Sequence, residues 1–144
     1  MALSTLIIMN LIWIVYSLTE GMREGFYWHY ENSCKRVCDF NVNPIFNLQR
    51  VLILLITSIV MVGTIGWYSL LSSICMILIF SFFHNGTYYH TRNKLSNGDL
   101  YPKGWCDESR TFPLFTPLIK YNKRTIAMVI GVLSQVFIYL FLLN

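Results

Sequence analysis

The sequence predicts an all-α integral membrane protein, a four-helix bundle with both termini on the non-cytoplasmic side and a cytoplasmic loop cap. Three observations predict it. Every Asp, Glu, Lys and Arg lies within residues 20–50 or 92–124, which leaves three long charge-free runs. The chain has 144 residues, of which 55% are hydrophobic and 12% charged, against roughly 25% charged in an average soluble domain. All eleven Lys and Arg side chains also fall in these two windows, which a four-span protein places on one side of the bilayer. The rule that basic loops stay inside makes that side cytoplasmic.

Each element follows from this pattern. Residues 1–19 are apolar and uncharged. They lack the basic start and small-residue cleavage site of a secretory signal, so the segment is expected to persist as the first helix. No proline interrupts residues 20–30, and the first span is set at 3–30. Residues 51–83 form a charge-free run of 33 residues. At 1.5 Å per residue one helix of that length would overrun a hydrocarbon core of ~30 Å. Two spans are therefore expected, 44–65 and 68–94, joined by a turn at Gly63, Gly66, Trp67 and Tyr68. Asn43-Pro44 supplies a helix start, and residues 32–43 and 96–99 are rich in turn formers. The last span is 124–143. The whole chain reads as one domain, with a cap over 95–123 whose Pro113 and Pro117 exclude a regular helix.

Four cysteines do not form a disulfide framework on this reading. Cys34, Cys38 and Cys106 sit on the predicted cytoplasmic side, where thiols stay reduced. Cys75 is expected to pack within the third span. Cys34-x-x-x-Cys38 with His29 or Cys106 is a weak zinc pattern. Asn85-Gly86-Thr87 is a glycosylation sequon whose membrane-proximal, cytoplasmic place argues against modification. Trp13 is expected to face lipid or a neighbouring helix. Gly21-x-x-x-Gly25 is expected to let two helices approach closely.

The functional expectation comes from depth. Leu3 to Glu20 is 17 steps, Gly66 back to Arg50 is 16, and Tyr68 to His84 is 16. Each rise is roughly 24–26 Å. Three helices therefore deliver a carboxylate, a guanidinium and an imidazole to one level. Glu20, Arg23 and Glu24 share a helical face that Tyr27 continues, and His84, Tyr88 and Thr91 share another. Such groups facing lipid would cost up to ~3 kcal/mol each, so they should face one another across a pocket open to the cytoplasm.

In that pocket Glu20, Glu24, His84 and Tyr88 are the expected acid-base or catalytic groups. Arg23, Tyr27, Arg50, His90 and Arg92 are the expected ligand-binding groups, with Arg50 pairing one glutamate. No metal site is expected, because His84 and His90 are splayed by about 120° and no Glu-x-x-His pair occurs. The expected partners are membrane lipids and an amphiphilic or anionic small ligand such as a lipid headgroup, with no nucleic acid. A protein partner or a second copy stays open, and the pattern names no cofactor. The alternative is a structural or assembly subunit whose charge network only pins helix ends.

Overall fold

The computed structural model describes residues 2–34, 43–97 and 123–142. Apart from the turns at 66–67 and 96–97 these residues are helical, with α1 at Ala2–Cys34, α2 at Asn43–Ile65, α3 at Tyr68–Leu95 and α4 at Lys123–Phe137. A π-helical turn, Ile138–Leu142, continues α4. The expected cap and its prolines lie outside the described residues, as do Cys38 and Cys106.

Three of the helices are long and apolar enough to cross a membrane, over Leu3–Tyr30, Ile45–Ile65 and Tyr68–Leu95. The fourth apolar helix, Arg124–Leu140, is shorter. The first helix runs past the expected end at residue 30 and takes in Asn32, Ser33 and Cys34. Turn-forming side chains alone did not stop it, and no proline or glycine stands there to do so. At 33 residues it is about 50 Å long, so a bilayer would leave more than a third of it uncovered.

The α2–α3 connection is tighter than expected. Gly63 belongs to α2, where a Cβ would meet nothing within 4 Å. Only Gly66 and Trp67 lie outside the helices. Gly66 has φ +59, the left-handed conformation that glycine adopts at least cost. Its N–H donates to the Val62 carbonyl at 3.0 Å and its carbonyl accepts from the Ser69 N–H at 3.1 Å. Trp67 caps the turn and is 86% exposed. At the other end of α3, Ser96 donates to the Arg92 carbonyl and Asn97 turns the chain with φ 49.

The hub is α3, on which α1, α4 and, more loosely, α2 all pack. Its buried positions are mostly small or polar, among them Ser69, Ser72, Ser73, Cys75, Ser81 and Gly86. Small side chains let helix backbones come close where no water drives association. The partners supply their own glycines. A Cβ on Gly21 would collide with the His84 carbonyl oxygen, and one on Gly25 would lie 3.0 Å from the Tyr88 carbonyl oxygen. Gly131 of α4 is just as close to Cys75. Cys75 itself is buried at this contact, in the packing role expected of it.

Apolar packing is concentrated in the half nearer the turn, around Leu6, Trp13, Met61, Ile65 and Met76. Trp13 turns inward to a neighbouring helix. It is 3% exposed, and its Nε1–H donates to the Met76 carbonyl at 2.6 Å. The outward face of α2 is apolar and exposed, with Leu48, Leu55, Ile56 and Ile59 all open.

Buried polar pairs tie the same half together. Ser58 Oγ and Ser73 Oγ lie 2.6 Å apart across α2 and α3. Gln135 of α4 donates to the Ser72 carbonyl at 3.0 Å, and Ser72 Oγ is 3.0 Å from Gln135 Oε1. Gln135→Ala should therefore loosen α4 and lower stability by about 1 kcal/mol. Chemical unfolding in detergent micelles would show it as a shifted midpoint.

Candidate functional site

The charged groups meet at the end of the bundle opposite the Gly66-Trp67 turn. On α1 the i, i+3, i+4 spacing aligns Glu20, Arg23 and Glu24. Glu20 and Glu24 are buried. Arg23 Nη2 donates to Glu20 Oε1 at 2.7 Å, and its Nη1 donates to Gln49 Oε1 at 2.9 Å. Arg50 reaches in from α2. Its Nη2 makes a close ion pair with Glu24 Oε1 and stands 3.7 Å from Glu20 Oε1. Its Nη1 donates to Asn47 Oδ1 at 3.2 Å. Two carboxylates are thus matched by two guanidiniums, which is the condition for keeping such charges out of water.

From α3, His84 completes the cluster. Its Nε2 is 3.1 Å from Glu24 Oε2 and 3.0 Å from Arg50 Nη2. Its Nδ1 is 3.2 Å from Asn85 Oδ1, and Asn85 Nδ2 donates to Ser81 Oγ at 3.2 Å. Nε2 thus faces both a guanidinium that can only donate and a carboxylate oxygen, and which contact it serves depends on the tautomer. The Phe80 ring stacks on the imidazole with centroids 4.9 Å apart and holds its plane.

These groups form one wall of a cavity of about 490 Å³ between α1, α2 and α3. Its polar lining comes from Glu24, Asn47, Arg50, Ser81, His84 and Asn85, and its aromatic lining from Trp28, Phe80, Tyr88 and Tyr89. Behind Tyr88 stands Arg92, whose Nη1 donates to the phenol oxygen at 2.5 Å. The Tyr88 oxygen therefore accepts from the protein and keeps its own hydrogen to donate. The Nε of Arg50 is buried and has no hydrogen-bond partner among the described residues.

The sequence-predicted residues divide into two groups. Glu24, Arg50, His84 and Tyr88 line the cavity. Glu20 lies behind that wall, its side chain 2% exposed, while Arg23 is 43% exposed and rests over the Phe46 ring. Tyr27 packs edge-on against Trp28 and Phe46 and does not line the cavity. Arg92 supports Tyr88 from behind. His90 is exposed, because six residues rotate it about 120° from His84 on an unbroken helix. Among the described residues no three His, Cys, Asp or Glu side chains cluster as metal ligands.

Sequence reasoning missed Asn47, Phe80, Ser81 and Asn85. Three of them carried a usable signal. Phe80 and Ser81 precede His84 by four and three residues, and Asn47 precedes Arg50 by three, so each shares a helical face with a residue already singled out. Comparison with known protein families, curated proteins and solved structures gives no match. The functional reading therefore rests on the chemistry of these residues.

Proposed function

We propose that the protein resides in a membrane and binds the polar head of an amphiphile in the cavity beside Glu24, Arg50 and His84. The basic end of the bundle would face the cytoplasm, as the placement of Lys and Arg suggests. The observation that carries this reading is a roomy cavity lined by a charge-balanced Glu24–Arg50–His84 cluster, beside helices apolar enough to span a bilayer. Intramembrane ionisable groups that surround a cavity generally serve a ligand or a proton.

Since Glu24 already occupies Arg50, the head would be held chiefly by hydrogen bonds, from Tyr88 and Asn47. An anionic head would have to compete with Glu24 for the guanidinium. Glu24 and His84 are the pair able to move a proton on a bound head.

A second reading has its own support. Glu20 is buried, paired with Arg23 and Arg50, and away from the cavity wall, as expected of a group that only pins α1 to α2. One experiment separates the two. The protein would be purified in mild detergent, and its bound lipids extracted and identified by mass spectrometry. Glu24→Gln and His84→Ala should lower amphiphile occupancy by about tenfold or more, beyond the loss of stability that breaking the buried cluster itself brings. Wild-type protein that carries no amphiphile, and variants that lose only stability, would favour the structural role.

A further inference from the structure

The polar cavity does not end at its charged wall. A second, apolar cavity of about 300 Å³ occupies the seam between α2 and α3. Val51 and Leu54 flank it on α2, Ile77 and Phe80 flank it on α3, and Trp13 of α1 forms its floor. Asn47, Arg50, Ile77 and Phe80 line both spaces. The two are therefore adjoining ends of one site. On α2 the stripe 47, 50, 51, 54 passes from amide and guanidinium to aliphatic side chains within two turns. On α3 the matching stripe runs from His84 and Ser81 to Phe80 and Ile77.

The seam also has a defined far end. Ser58 and Ser73, at 2.6 Å, bind α2 to α3 beyond Leu54 and Ile77. From Arg50 to Ser58 is eight residues, a rise of about 12 Å. A chain longer than that is turned out sideways, past Val51 and Ile77, which are 53% and 43% exposed.

A molecule that fills both ends must itself change polarity along its length. A free anion would make no use of the apolar end. A hydrocarbon would bring no hydrogen-bonding groups to Arg50 and Tyr88. The other large apolar groove, near Asn10 and Gln135, shares no lining residue with the polar cavity and offers no such continuity.

We propose that the α2–α3 seam is the acyl-chain subsite of the bound amphiphile, with Leu54 and Ile77 as its specificity-determining residues. The chain lies over Trp13 and leaves between α2 and α3 toward the bilayer. This rests on the reading of the polar cavity as the headgroup site, and it narrows the ligand class to amphiphiles with at least one acyl or alkyl chain.

The test uses the full chain in phosphatidylcholine vesicles doped with a long-chain lysophospholipid that carries a diazirine at mid-chain. After photolysis, mass spectrometry should place adducts on residues 51–54 and 77–80. Leu54→Trp and Ile77→Trp fill the seam and should cut labelling by about fivefold or more. Ile56→Trp, on the opposite face of α2, should leave it unchanged. The wild-type adduct map stands even if a seam variant folds poorly. Labelling that depends on Glu24 but maps elsewhere, or survives both seam substitutions, would overturn the chain subsite alone. Labelling indifferent to Glu24→Gln, His84→Ala and the seam substitutions alike would overturn the headgroup reading with it.

Discussion

Gly21→Ala should destabilise the protein by about 3 kcal/mol or more, and Gly21→Val should prevent the native bundle from forming. The added carbon would clash with the His84 carbonyl oxygen. That atom belongs to the backbone of a helix interior and cannot rotate away as a side chain would. Relief requires α1 and α3 to separate, along the most extensive helix contact in the molecule. Because Glu24 sits less than one turn beyond Gly21 on α1, the separation also draws it from His84. Stability and ligand occupancy should fall together. Gly63→Ala is the matched control. Its Cβ meets open space inside a helix, so the change should be neutral or stabilising by up to ~1 kcal/mol. Urea or heat titration in micelles measures both. A Gly21→Ala protein within 1 kcal/mol of wild type would mean that the two helices do not approach as closely as described.

Arg50→Ala should be the most damaging change among the charged residues, at about 3 kcal/mol. Removing one member of a buried ion pair strands the other, at a cost of roughly 3–5 kcal/mol. The Arg50 side chain is 22% exposed, which places the expectation at the lower end. Its loss leaves Glu24 with only His84 and removes one of two cations near Glu20. Arg50→Lys should recover only part of the loss, since a single ammonium cannot reproduce a planar fork that bonds Glu24 and Asn47 at once. The double variant Glu24→Gln, Arg50→Ala should be more stable than Arg50→Ala alone, because the stranded charge is gone. A double-mutant cycle on thermal midpoints reads this directly. Equal damage in the single and double variants would show that the pair is not coupled.

Much of this architecture was legible because helix geometry is regular. A fixed rise converts residue counts into depth, so Glu20, Arg50 and His84 could be brought to one level from charge spacing alone. The ends of α2 and α3 were legible for the same reason, since a charge-free run of 33 residues has room for one sharp turn and Gly66 is suited to make it. Rotation about each helix axis was not legible. Tyr27 shares a stripe with Glu24 yet packs on Phe46, because the stripe is wide and only part of it meets the cavity. The role of α3 as hub was hidden too. It is buried on several sides, and its polar residues are spread around the axis rather than gathered on one face. Trp13 gave no sign of its inward turn, because its partner is a backbone carbonyl that any sequence supplies.

That hub position has a consequence for biosynthesis. Helices α1 and α2 touch each other only lightly, and both depend on α3, which follows them in the chain, for their main docking surface. Until α3 is translated, Glu24 lacks the His84 imidazole and Gly21 has no partner backbone. In a membrane, α1 and α2 would stay loosely docked until α3 joins them. A chain halted before His84 emerges would be a natural target for quality-control proteolysis.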